Sequence, residues 1–313
     1  MATLKKLSLA SLGTVLTVMA TVSVVQASQL SYGESQLLGD GFIRSFVSLD
    51  DNGNPLDLGV AFTEEALSLP TDPAYPITRI ELSLPPEAAK TAFNHIELDY
   101  RTRGFPPNPE IFNVPNFRIT FFQISPEERD LICPNPDTTG VIPKCTGDEL
   151  AQVLKTPEPG TLPEGFVQVL PEDPFFAEPR YGTGYIDLVP ILPVINGQQP
   201  FTSFYAYTFS DGKGSSIENI VNKAFLETQP NVTNPIKLPT SFSKSGYYPT
   251  EYSVTYEATS QEYRFSLTGL TFRSSIPTPV PELSSPLSLL AFGAWATVSQ
   301  VKKKAKKTGR DWY

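Results

Sequence analysis

Proline constrains this chain more than any other residue. It occurs 31 times in 313 residues. Each ring removes a backbone donor and clashes with a continuing helix. Short strands joined by turns fit that distribution better than long helices do. The expected fold is mainly β, an antiparallel sandwich or open barrel with one packed amphipathic helix.

The strand pattern supports this. Residues 41–49 alternate around Phe42, Phe46 and Leu49, and residues 56–62 alternate again. Asp51-Asn52-Gly53 between them predicts a hairpin turn. In TRIELSL, residues 78–84, Ile80, Leu82 and Leu84 share one face, and residues 85–92 predict a helical turn. FRITFFQI, residues 117–124, has aromatics on both faces and reads as a central strand covered on both sides. Residues 252–258 and 263–272 predict a last hairpin, with Tyr252, Val254 and Tyr256 facing Phe265 and Leu267. The helix is expected at residues 216–228, where Ile217, Ile220, Val221, Ala224 and Phe225 form one apolar stripe. Ser215 or Ser216 would cap it and Pro230 would stop it. Residues 28–40 read as a mobile polar lead-in, residues 105–115 as a loop or an extended edge, and residues 231–245 as a loop. Residues 126–165 are the least regular, apart from helical turns near 127–131 and 148–154. Brief strands are expected at 166–170 and 185–189.

Two patterns bear on chemistry. Residues 93–100 contain the single histidine of the chain. Alternation puts His95, Glu97 and Asp99 on one strand face, ~6–7 Å apart in steps of two. That set could serve acid–base or metal chemistry. It also matches the polar side an antiparallel sheet shows to water, and no second histidine joins it as a ligand. The solvent-facing reading is preferred, with no cofactor and no metal expected. The second pattern is FTSFYAYTF, residues 201–209. There Phe201, Tyr205 and Tyr207 could stack a sugar or other planar ligand, but such a row more often forms the inner face of a sheet. The glycines of Arg180-Tyr181-Gly182-Thr183-Gly184-Tyr185 lack the lysine and spacing of a phosphate loop and read as a turn.

The chain has two cysteines, Cys133 and Cys145. A disulfide between them would staple a loop without apolar periodicity and remove roughly 2–3 kcal/mol of unfolded-chain entropy. Such a bridge requires an oxidising compartment.

Both ends read as addresses. Residues 1–27 have a lysine start, an apolar run and a small-residue cleavage site, the parts of a cleaved signal peptide. Residues 275–281 are a proline-rich spacer before a tail at 282–313. The tail holds an apolar segment, 287–301, closed by lysines within 302–307, which is a stop-transfer pattern. Its fifteen residues reach only ~23 Å against a hydrocarbon core of ~30 Å, which suits a transient tether. Without the leader's two lysines and the tail's six basic and two acidic groups, residues 28–281 keep 16 basic and 31 acidic groups, a formal charge of −15. That argues against nucleic acid as a partner.

The tail resembles the PEP-CTERM sorting signal of bacterial exported proteins, through Val280, Pro281, Glu282 and Ser284, with Leu283 where that signal has a second proline. The resemblance implies export machinery and an exosortase-type membrane protease as partners. It also implies delivery to the cell surface or extracellular matrix. The body, the mainly-β domain of residues 41–274, resembles an uncharacterised bacterial exported domain over residues 41–273. FNHIELDY, Phe105-Pro106-Pro107, Val114-Pro115-Asn116-Phe117 and Phe121-Phe122 carry that likeness. It implies histidines where this chain has Asn116 and Thr120, so a metal held by histidine-rich members would be lost here.

Three functions follow. The preferred one is a non-enzymatic structural or binding protein of the cell surface, with extracellular polysaccharide as a partner. The second is a hydrolase or metal-dependent enzyme using His95 with Glu97 or Asp99. The third is a small-molecule or lipid carrier with an aromatic-lined pocket beside residues 201–209.

Overall fold

The structure, a computed structural model, describes residues 29–72, 77–104, 110–139, 143–169 and 177–275. The signal peptide, the sorting motif at Val280, Pro281, Glu282 and Ser284, the apolar tail and its lysines lie outside the described residues. Residues 105–109 of the expected proline-rich loop lie outside them too.

In chain order the strands begin with β1 (Gln29–Tyr32), β2 (Gln36–Leu38), β3 (Gly41–Leu49), β4 (Pro55–Thr63), β5 (Thr78–Ser83), β6 (His95–Arg101) and β7 (Asn116–Phe122). Helices α1 (Pro126–Asp130) and α2 (Gly147–Val153) precede β8 (Phe166–Gln168), β9 (Ala177–Glu178) and β10 (Gly182–Asp187). Then come α3 (Leu188–Ile195), β11 (Ser203–Ser210), β12 (Lys213–Asn222) and α4 (Lys223–Leu226). The chain continues through β13 (Asn231–Pro235), β14 (Gly246–Tyr248), β15 (Glu251–Glu257), β16 (Glu262–Thr268) and β17 (Thr271–Arg273).

Fifteen of these strands build two antiparallel sheets, and β14 and β17 pair as a separate two-stranded one. The first runs β1-β3-β4-β16-β15-β13, with β2 also on β3. The second runs β5-β6-β7-β12-β11-β10-β8, with β9 also on β10. Their inner faces share one apolar core. Ring pairs cross it: Phe62 with Phe117 at 6.0 Å, Phe121 with Phe265 at 6.3 Å, and Tyr205 with Tyr252 at 5.9 Å. The fold is therefore a β sandwich, and no closed barrel forms among the described residues. No helix among the described residues is long and apolar enough to cross a membrane.

The first hairpin forms where the turn chemistry places it. Asp50 Oδ1 accepts the backbone N–H of Asn52 at 2.9 Å and of Asn54 at 2.7 Å. Gly53 takes the left-handed conformation, φ 69°, which glycine adopts without a Cβ penalty. β7 is central in its sheet and all of its residues are buried. β15 and β16 pair in the expected register, Val254 opposite Phe265 and Tyr252 opposite Leu267.

Several expectations are corrected. Residues 216–228 do not form one helix: β12 runs to Asn222, and only Lys223–Leu226 is helical. β12 lies between β7 and β11 and carries apolar residues on both faces. Ile217 and Val221 enter the core while Ile220 points the other way, and that spacing imitates a helical stripe. Residues 28–40 are not a loose lead-in, because β1 and β2 both pair with β3. Residues 231–245 are not all loop, because β13 forms an edge strand on β15. In both cases backbone pairing supplies the structure without an apolar pattern. The strand expected over 185–189 ends at Asp187, whose side chain accepts from the Val189 N–H at 3.1 Å and caps α3.

Candidate functional site

β6 divides its side chains between two environments. Ile96, Leu98 and Tyr100 enter the sandwich core. His95, Glu97, Asp99 and Arg101 project from the other side of the sheet. That side is not the water-facing surface the alternation suggested. His95 is 3% exposed, Glu97 1% and Asp99 1%.

The cover comes from three neighbouring pieces. Neighbouring strands of the sheet present Arg79 and Glu81 from β5, Arg118 from β7 and Glu218 from β12. Helix α1 adds Arg129. It is only one turn long, but Ser125 and Glu128 form a reciprocal capping box and Pro126 starts it. Residues 178–181 add Glu178, Arg180 and Tyr181. Gly182 follows them at φ 86°, and a Cβ there would sit 2.1 Å from the Phe209 carbonyl oxygen. Only glycine lets that segment lie so close to β11.

Ion pairs saturate both carboxylates. Asp99 accepts from Arg79 Nε at 2.8 Å, from Arg118 Nη2 at 2.9 Å and from Arg101 Nη2 at 3.0 Å. Glu97 pairs with Arg79 Nε at 3.1 Å, Arg180 Nη2 at 2.5 Å and Arg129 Nη1 at 3.4 Å. The Tyr181 hydroxyl donates to Glu97 and lies 3.2 Å from Asp99. Its ring stacks under Arg118, whose Cζ is 3.7 Å from the ring centroid. Glu178 closes the group by accepting from Arg118 Nη1 at 2.5 Å and from Arg101 at 3.2 Å.

His95 is held from three sides. Its ring stacks on Phe122, with centroids 4.6 Å apart and planes 8° apart. Nε2 accepts from Arg129 Nη1 at 3.0 Å, which assigns the ring proton to Nδ1, 3.3 Å from Asn94 Oδ1.

The charges respond to this packing. Burial and then the Arg129 charge lower His95 to about 4, so the ring is neutral near pH 7. Burial alone would raise Asp99, yet Arg118, Arg101 and Arg79 together hold it well below the usual carboxylate range. Glu178 is lowered against its burial by Arg118 and Arg101. Burial pushes the Tyr181 phenol well above its ordinary value. Glu218 is raised by burial, with Arg118 Nη1 3.7 Å away and Oε2 without a hydrogen-bond partner among the described residues.

The arrangement binds its own parts. A general base needs a free lone pair within reach of a substrate proton. Here the lone pair of His95 Nε2 is taken by Arg129. Glu97 and Asp99 each face at least three guanidinium groups. No group of His, Cys, Asp and Glu among the described residues could hold a metal ion. Arg79, Arg101 and Arg118 could have been placed on the charged face from strand alternation. Arg129, Glu178, Arg180 and Tyr181 could not, because they arrive from connecting segments.

The aromatic row is also packed. Tyr205 and Tyr207 lie in the core on β11, 6.1 Å apart. Tyr205 OH accepts from the Lys237 N–H at 2.8 Å and Tyr207 OH donates to the Lys237 carbonyl at 2.9 Å. Phe201 is not part of that row; it packs on Phe112 at 5.1 Å and Phe204 at 5.7 Å. A cavity of about 20 Å³ beside Tyr207, Phe209, Phe242 and Tyr248 has room for one water molecule.

Cys133 and Cys145 are joined as a disulfide. The bridge lies in a small apolar cluster with Ile132, Val153 and Ala177.

A family model described as TTHB210-like, hypothetical protein TTHB210, matches residues 50–100. That match includes His95, Glu97 and Asp99 but spans a minor part of the chain. No curated protein and no solved structure matches the chain.

Proposed function

We propose that the chain is an exported cell-surface or extracellular-matrix protein with a structural or binding role, its charged face serving to hold the fold together. The observation that carries this reading is the bridge joining its two cysteines, the state expected outside a reducing cytosol. The PEP-CTERM-like tail and the leader give the same direction from sequence, with an exosortase-type protease and extracellular polysaccharide as partners. The saturation of His95, Glu97 and Asp99 by arginines favours a structural role for them over hydrolytic or metal chemistry.

The test is expression of the whole chain in a bacterium that possesses an exosortase, followed by fractionation and intact-mass measurement. The expected product lacks the leader and tail, is two hydrogens lighter than the dithiol form, and is found outside the cytoplasm. A full-length cytosolic product with two free thiols would reject the proposal.

A further inference from the structure

The pieces that close the charged face share a small apolar cluster of their own and meet the sandwich through backbone bonds, β9 pairing with β10. α1 brings Arg129, and residues 177–181 bring Glu178, Arg180 and Tyr181. Ile132, Cys133, Cys145, Val153 and Ala177 join them in a cluster separate from the sandwich core, while Tyr181 packs on Phe122 of β7 with ring centroids 5.6 Å apart. Within the cover, Arg180 N–H donates to the Ile132 carbonyl at 2.9 Å. Thr183 Oγ1, on β10 of the sandwich, donates to the Val153 carbonyl at 2.8 Å and is the kind of bond that opening would break. The disulfide joins the chain just after α1 to the chain just before α2. So small an apolar cluster buries little surface to hold itself together, and the crosslink lies inside it.

We propose that the Cys133–Cys145 bridge is the fastener of a cover. With the sulfurs joined, α1, α2 and residues 177–181 stay closed over His95, Glu97 and Asp99. With the bridge open, these pieces lift and the charged face meets water, while the sandwich remains folded. Opening is a two-electron reduction. A dithiol gives two electrons and two protons to the bridge, leaving two protein thiols, and itself becomes a disulfide. The motion separates ion pairs that water can solvate and leaves the main apolar core intact, which makes it a local opening rather than global unfolding.

Both sulfurs are buried, so the test does not rely on reductant entry alone. The whole chain carrying Cys133→Ser and Cys145→Ser is compared with the wild type, with and without dithiothreitol. Amide hydrogen exchange and the imidazole titration of His95 by NMR are read together. In the doubly substituted protein, exchange in α1, α2 and residues 177–181 is expected to rise at least about tenfold. β3, β4, β15 and β16 stay protected. His95 titrates near its ordinary value of about 6.5 in place of about 4. Unchanged protection of the cover in that protein overturns the proposal. Loss of protection in the sandwich strands at the same time overturns it as well, since the bridge would then hold the whole fold.

Discussion

Arg129 Nη1 donates to His95 Nε2 at 3.0 Å, to Glu81 Oε2 at 2.6 Å and to Glu97 Oε2 at 3.4 Å. The histidine is thus kept neutral by burial and by a cation that two carboxylates hold in place.

Stability should fall on mild acidification because of the burial of His95 and this contact. The unfolded chain takes up the His95 proton near about 6.5, and the folded chain near about 4. The contribution is complete above the first value and is lost as pH falls through the second. It amounts to roughly 3 kcal/mol. Urea unfolding at pH 7, 5.5 and 4 checks this against His95→Gln. Equal pH slopes in the two proteins above pH 4 would count against it.

Asp99→Asn keeps the shape of the side chain but removes the charge that three arginines share. Leaving buried guanidinium groups without their anion costs about 3–5 kcal/mol. The loss should appear as a lower denaturant midpoint. A change under about 1 kcal/mol, the size of an exposed pair, would mean that the arginines reach water.

Asn219 lies on the core face of β12, opposite Ile119 and Tyr205, and is 0% exposed. Neither of its amide atoms has a hydrogen-bond partner among the described residues. Asn219→Val should therefore stabilise the fold by about 1–3 kcal/mol, the cost of a buried unsatisfied group. Destabilisation of that size would reveal a partner for the amide.

Gly182→Ala would force a Cβ against the Phe209 carbonyl and strain a left-handed residue. The cost is about 2 kcal/mol or more. Tyr181 should move with it, so the Tyr181 ring signals in NMR would shift while those of Phe62 and Phe265 stay. Unmoved Tyr181 signals would show that another contact fixes the segment.

Much of the sandwich was legible in the chain. Asp51-Asn52-Gly53 marks the β3–β4 turn, and aromatics on both faces mark β7 as central. β12 is hidden in the sequence because Asn219 interrupts the two-residue period, while Ile217, Ile220 and Val221 supply a helical one. The charged face was half legible. Alternation grouped His95, Glu97 and Asp99 correctly, but the residues that bury them come from 129 and 178–181. Those positions follow loops whose path no local pattern encodes. Gly182 reads as a turn residue from sequence, and the structure gives its reason as the approach of β11.

β6 also acts as a register lock. Its odd positions suit only an ionic lining, and its even positions suit only a hydrocarbon one. A slip by one residue would thrust four ionisable groups into grease and strand three large apolar ones among guanidinium groups. Mispairing is penalised on both sides of the sheet at once, so this strand has a single tolerable alignment with β5 and β7.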